Sequence, residues 1–248
     1  MNFFQIFYQP LLNALIVIYN YLPSHNFGLA VIVLTILIRF LLYPLASESI
    51  RIQKLTADLQ PKIREIKAKY KNDKEKQTLL TMDLFKKNKL NPLKGILLVL
   101  IQVPIMIGLY YVFFYGINPE ILTKLYPSVS NPGTIDSNFF GLADLAKGSL
   151  LMALTAGILQ YFQTKMVSDL TPRVPNKGGE VDMMEEMQSQ MQKYMLYFFP
   201  AISVFIFWKL PSALSLYWIT SGIFSIVQQH LVLRKFSPAK PVALESRA

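Results

Sequence analysis

Apolar blocks alternate with charged ones along this chain, and the spacing of the apolar positions changes from block to block. Residues 2–22 are apolar except for Gln5, Gln9 and Asn13, which recur at i, i+4 and i+8 and draw one polar stripe on a helix. Tyrosines flank the segment and Pro10 interrupts it, a pattern that predicts a helix lying in a membrane interface rather than crossing the bilayer. Residues 27–47 form the first block long enough to span, closed by Pro44 and the polar "SES". Further spans are predicted over 93–116, 148–165, 194–209 and 212–233, joined by segments 117–147 and 166–193 and followed by a basic tail, 234–248. The fourth is short: 16 residues make about 24 Å of helix against a hydrocarbon core of about 30 Å.

The block after the first span has another period. Ile52, Leu55, Leu59, Ile63, Ile66 and Tyr70 recur at steps of three and four, "KND" makes a turn, and Leu79, Leu80, Met82, Leu84 and Phe85 begin a second helix. Residues 48–92 therefore read as a helical hairpin outside the bilayer, with Pro61 kinking its first helix. The fold class expected is all-α: five spans, a cytoplasmic hairpin and an N-terminal interfacial helix in one domain over 1–248.

Composition sharpens this. The chain is 52% hydrophobic and only 16% charged, where a soluble domain carries about 25% charged residues, and its mean hydropathy is +0.34. Residues 1–38 hold no Lys, Arg, Asp or Glu, whereas 48–94 hold 13 of the 25 basic residues and 6 of the 15 acidic ones. That distribution indicates a multi-pass membrane protein. Loop 117–147 carries only Lys124 and Lys147 as positive charges, while the hairpin and the tail are rich in Lys and Arg. The bias puts the N-terminus outside and the C-terminus in the cytoplasm of a cell membrane. Cysteine is absent, which excludes a disulfide, a thiol nucleophile and a lipidated cysteine. The start lacks a positive n-region and is read as retained.

Signals of catalysis are weak. His25 and His230 stand at opposite ends of the chain, outside any metal-ligand spacing, and no G-x-S-x-G, H-E-x-x-H or phosphate-binding loop occurs. No enzyme, metal site or cofactor is expected. What the spans do contain is polar residues in register. Thr35 and Arg39 lie four apart in the first, Gln102 lies in the second, and Ser149, Ala153, Ala156, Gln160 and Gln163 stripe the third. Trp218, Gly222, Ser225 and Gln229 line up in the fifth. The plain alternative for each is an interhelical hydrogen bond. Arg39 is harder to dismiss, since a charge at that depth costs about 2.5–3.5 kcal/mol on insertion scales. No acidic residue falls inside any of the five blocks, so its expected partners are water and a transient acidic visitor in a hydrophilic cavity. The Met183, Met187 and Met191 face is read as packing at the start of a helix, or as an adaptable apolar surface.

"TILIRFLLYPL", "LQPKIREIKAKYKNDKEKQ", "NPLKGILLVLIQVPIMIGLYYV" and "LPSALSLYWITSGIFSIVQQHL" resemble the YidC membrane protein insertase family, with its mitochondrial and chloroplast relatives, over about residues 1–235. The resemblance implies insertion and folding assistance of newly made membrane proteins, alone or beside the Sec translocon, in a groove open to cytoplasm and lipid. It matches the groove arginine to Arg39, the polar residue a turn before it to Thr35 and the last-span aromatic to Trp218. The third-span glutamine is Gln160 or Gln163. The chain departs from larger members in lacking a big extracytoplasmic domain, and its short tail speaks against ribosome binding by a long basic extension. The hairpin, with a net charge of +6 over 48–90 from 12 basic and 6 acidic residues, suits lipid head groups or ribosomal RNA equally; specific DNA binding is not expected. A small transporter or channel is the competing reading, and it predicts inverted repeats, broken helices or a midplane carboxylate, none of which the sequence displays.

Overall fold

The computed structural model describes residues 3–23, 25–91, 93–115, 122–170 and 183–235. Among them are eight helices: α1 Phe3–Tyr21, α2 Phe27–Leu41, α3 Tyr43–Lys69, α4 Lys74–Lys87, α5 Leu93–Tyr115, α6 Leu150–Leu170, α7 Met183–Lys209 and α8 Ser212–Lys235. Two short antiparallel strands, β1 Asn138–Phe139 and β2 Ala143–Asp144, make a hairpin with Asn138 opposite Asp144 and Phe139 opposite Ala143. The all-α class expected from the periodicity is what is found. The tail beyond Lys235 and the segment 171–182 lie outside the described residues, as do the side chains of Met183 and Met187; Met191 is exposed.

The main core joins α1, α2, α5, α8 and the loop between α5 and α6. Leu12, Leu15, Ile16 and Tyr19 of α1 recur at helical spacing and are buried against Phe27, Ala30, Val31 and Leu34 of α2, Leu109, Val112 and Phe113 of α5, and Leu214 and Tyr217 of α8. The polar stripe of α1 has its own partner. Gln9 Nε2 donates to the Lys124 carbonyl at 3.3 Å, the Asn13 side-chain oxygen accepts from the Tyr126 amide at 2.7 Å, and Asn20 Nδ2 donates to the Ser130 carbonyl at 2.7 Å. The stripe thus supplies hydrogen bonds to the loop backbone at Lys124, Tyr126 and Ser130, outside the β1–β2 ladder.

The first predicted span is not one helix. It breaks at Leu42 into α2 and α3, bent by 62°. Pro44 sits at the start of α3, where it has no N–H to donate and its ring excludes the carbonyl of Phe40 from continued helical geometry. Gln228, 2% exposed, secures the far side of the break by donating to the Tyr43 carbonyl at 2.9 Å and to Ser47 Oγ at 3.0 Å. Beyond it, α3 and α4 form the expected hairpin around a separate small core of Ile52, Leu59, Ile63, Ile66, Leu84 and Leu90. Asp73 caps α4 through Lys76 N at 2.9 Å, and the buried Gln77 amide donates to the Lys67 and Tyr70 carbonyls, closing the end of α3. Pro61 lies within α3, which continues to Lys69.

The fourth block is also longer than its hydropathy suggested. α7 starts at Met183 and runs 27 residues, about 40 Å; its first three turns carry most of its polar residues. α6 and α7 pack closely because Gly157 faces Val204 and the Pro200 carbonyl, where a Cβ would collide, with Ala153 and Ala156 buried beside it. Gly28 plays the same part under the Phe139 ring, which seats the β-hairpin on α2. Among the described residues no single helix is long and apolar enough to cross a membrane; α2 and α3 are so together, across their bend.

Candidate functional site

The site is organised by α8, whose neighbours include α2, α3, α5, α6 and α7. Tyr217, Trp218, Ser221 and Gly222 occupy little more than one turn of it, and each meets a residue from another helix. Arg39 Nε donates to Ser221 Oγ at 2.9 Å. Trp218 Nε1 donates to Gln160 Oε1 at 2.7 Å, and Gln163 Nε2 to the Gly222 carbonyl at 3.3 Å. Gln102 Nε2 donates to the Tyr217 hydroxyl at 2.7 Å. At about 100° per residue, Tyr217, Ser221, Ser225, Trp218 and Gly222 fall in that angular order within about 140° of the helix surface. One side of α8 therefore carries the polar contacts of α5, α2 and α6 in sequence.

The expected residues are placed as follows. Arg39 is half-buried and lies where α2 meets α8. Among the described residues it has a neutral partner, Ser221, and no carboxylate. Both third-span glutamines reach α8: Gln160 orients the indole of Trp218, and Gln163 meets the backbone at Gly222. Thr35 is 1% exposed and its hydroxyl donates to the Val31 carbonyl at 2.6 Å, which leaves it packed beneath Arg39 with its hydrogen already used inside α2. Gln102 serves Tyr217. Ser225 is half-buried on the arc between Ser221 and Gly222, and it faces the interval between the arginine and the glutamines.

Ser221, Tyr217 and Gln228 were not singled out by the sequence. They lie at i+4 and i+7 steps of one another, on the row of α8 beside Trp218, Gly222, Ser225 and Gln229, and that second polar row is the signal that would have found them. A guanidinium stays protonated at physiological pH, so the arrangement offers a fixed positive charge, an indole and neutral amides; it has no general base and no nucleophile beside one. A separate pocket of about 230 Å³, lined by Val17, Asn20, His25, Ser128, Ser130 and Asn131, shares no residue with this site. Among the described residues no group of His, Asp and Glu is arranged to hold a metal ion.

An all-helical bundle with a permanent cation and neutral hydrogen-bonding groups set among apolar helices is the class these features define. The family model described as 60Kd inner membrane protein matches residues 17–240. The chain is 31% identical over 210 residues to the membrane protein insertase YidC of Fusobacterium nucleatum, covering 85% of this chain and 87% of that one. It is 34% identical over 226 residues to the protein of that name from Syntrophus aciditrophicus and 32% over 241 residues to that of Rickettsia typhi, covering 90% and 93% of this chain. Of those two relatives it spans only 36% and 39% of the length. The chain belongs to this family of inner-membrane insertases.

Proposed function

We propose that this chain receives newly made membrane proteins in a polar groove between α2, α6 and α8 and releases them sideways into the bilayer. The observation that carries the reading is Arg39, a charge set in an apolar helix, oriented by a hydroxyl and, among the described residues, without a carboxylate partner. Its complement is an acidic or strongly polar segment that stays only briefly, because the indole of Trp218 and the amides of Gln160 and Gln163 supply adaptable contacts rather than a fixed fork. Five spans fit the fold: α2 with the start of α3, then α5, α6, α7 and α8. Large apolar side chains point outward from them, among them Phe40, Leu100, Leu151, Phe162, Phe205 and Ile223, a distribution suited to lipid contact rather than to water. The charge bias favours an outside N-terminus, with the hairpin and the C-terminus in the cytoplasm. The Sec translocon and the ribosome are proposed partners on the resemblance alone.

Photo-crosslinkers placed at Arg39 and Trp218, with Leu37 on the outer face of α2 as control, test the reading against ribosome-stalled membrane-protein chains. Adducts from Arg39 and Trp218 that shift with chain length are the expected result. Adducts equally strong from Leu37, or none from either groove position, would overturn it. Loss of a single solute flux on depletion, with insertion intact, would favour a transporter instead.

A further inference from the structure

The hairpin buries most of its apolar residues in its own core, yet two remain outside. Leu79 and Met82 of α4 are 62% and 54% exposed. They stand three apart on one face, with Lys86 a further turn along and Lys87 and Lys89 beside it, all three lysines exposed. Between Lys74 and Lys89 there are five lysines against Glu75 and Asp83. Glu75 and Asp83 lie a turn to either side of Leu79, and the stretch still carries a net charge of +3. A short apolar ridge with such an excess of lysine suits a helix that lies in an anionic lipid interface, its apolar side chains among the acyl boundary and its ammonium groups at the phosphates. The direction of the hairpin agrees. α3 leaves the axis of α2 at 62°, so with α2 along the membrane normal α3 runs closer to the membrane plane than to its normal, and an average tilt of about 20° leaves it inclined in either direction.

We infer that the outer face of α4, through Leu79, Met82, Lys86, Lys87 and Lys89, docks on the anionic phospholipid surface of the membrane that holds the bundle. The hairpin is then an arm resting on the surface, and its release depends on lipid charge. This rests on the reading that α2 spans and the hairpin is cytoplasmic. Each lysine near an anionic surface shifts the docked population by about fivefold, so reversing three of them should shift it by more than about a hundredfold.

The chain contains no cysteine, so single labels can be placed without background. Full-length protein carrying a spin label at Met82→Cys, or at the exposed Ala68→Cys of α3, would be reconstituted into vesicles of phosphatidylcholine alone or with phosphatidylglycerol. Collision with water-soluble nickel chelate and with oxygen would then be measured. The expected result is loss of nickel access and gain of oxygen access at position 82 only when phosphatidylglycerol is present. Position 68 should stay wet throughout, and the triple substitution Lys86→Glu, Lys87→Glu, Lys89→Glu should return position 82 to water. Equal nickel access at position 82 in both vesicles overturns the proposal. Protection that ignores lipid charge and survives the triple substitution also overturns it, by assigning the face to protein. Reaction of Ala68→Cys with an impermeant maleimide, from one side of the vesicle or the other, tests the underlying orientation separately.

Discussion

Replacing Arg39 by alanine should impair insertion of substrates with acidic translocated tails and spare those with neutral ones. Two unit charges 4 Å apart attract by about 1 kcal/mol in bulk water and by about 4 kcal/mol at an effective dielectric near 20. Arg39 is half-buried beside Ser221, so the groove adds at most about 3 kcal/mol over bulk water for a carboxylate brought alongside it. Partial desolvation of that carboxylate removes much of the gain, which leaves an effect of about tenfold, or about 1.4 kcal/mol. Arg39→Lys keeps the charge and should keep most of the activity. Ser221→Ala keeps the charge too but deletes the hydroxyl that orients it, a charge-assisted bond whose loss is worth about 1.5–3 kcal/mol. It should lower efficiency without abolishing the preference for acidic tails. The assay is insertion of one apolar segment carrying matched acidic or neutral tails into vesicles reconstituted with each variant at equal protein levels. Equal loss for both tails in Arg39→Ala, together with an inactive Arg39→Lys, would refute the charge-receptor argument and leave a structural arginine.

Three further outcomes are expected. Gln228→Ala removes two hydrogen bonds across the break at Leu42 and should lower thermal stability by about 1–3 kcal/mol; it should also broaden distance distributions from the hairpin tip to α8 in pulsed spin-label measurements. Gly157→Leu forces a side chain against Val204 and the Pro200 carbonyl and should cost about 1–3 kcal/mol, seen as a lowered melting temperature, while Ala153→Ser should be nearly silent. Asp144 is held below its ordinary value of 3.8 by hydrogen bonds first from Ser137 and then from Lys147, against a smaller opposing effect of burial. Its stabilising contribution is therefore complete above that ordinary value and lost as pH falls through the lowered one. Hydrogen exchange in residues 137–147 should rise only in strong acid, and Asp144→Asn should flatten that dependence.

The positions of the helices were legible because the apolar period survives even where the composition is unusual. What escaped was whatever depended on partners distant in sequence. The stripe of α1 reads as a face for solvent or head groups, since nothing in Gln9 or Asn13 announces that Lys124 and Tyr126 will return more than a hundred residues later. Pro44 marks the break at Leu42 in the sequence, yet the apolar run continues through it to Ala46, so hydropathy alone reads one span there. α7 was clipped because "DMMEEMQSQMQK" is polar, although Met, Glu and Gln are good helix formers. The polar residues between the helices conceal their own segments in the same way: Gln160, Gln163 and Thr164 in α6, and the serines, Thr220, Gln228 and Gln229 in α8, dilute the hydropathy of the segments that carry them.

A serine is a better companion for Arg39 than a carboxylate would be if the arginine is there to attract a passing charge. A carboxylate within reach would form a neutral pair, and opening such a pair in a poorly hydrated site costs about 3–5 kcal/mol, more than the groove can offer an incoming tail. Ser221 accepts one of the guanidinium's five donors and leaves the net charge intact. The indole of Trp218 and the amides of Gln160 and Gln163 are likewise committed to neutral partners, across the contact of α8 with α6. All of these bonds converge on about one turn of α8, so an entering segment that displaces one of them loosens the contact of α8 with α2 or α6. On the proposed reading, binding would be coupled to opening a seam through which an apolar segment leaves for lipid, and weak, neutral bonds are the kind that would allow the seam to close again.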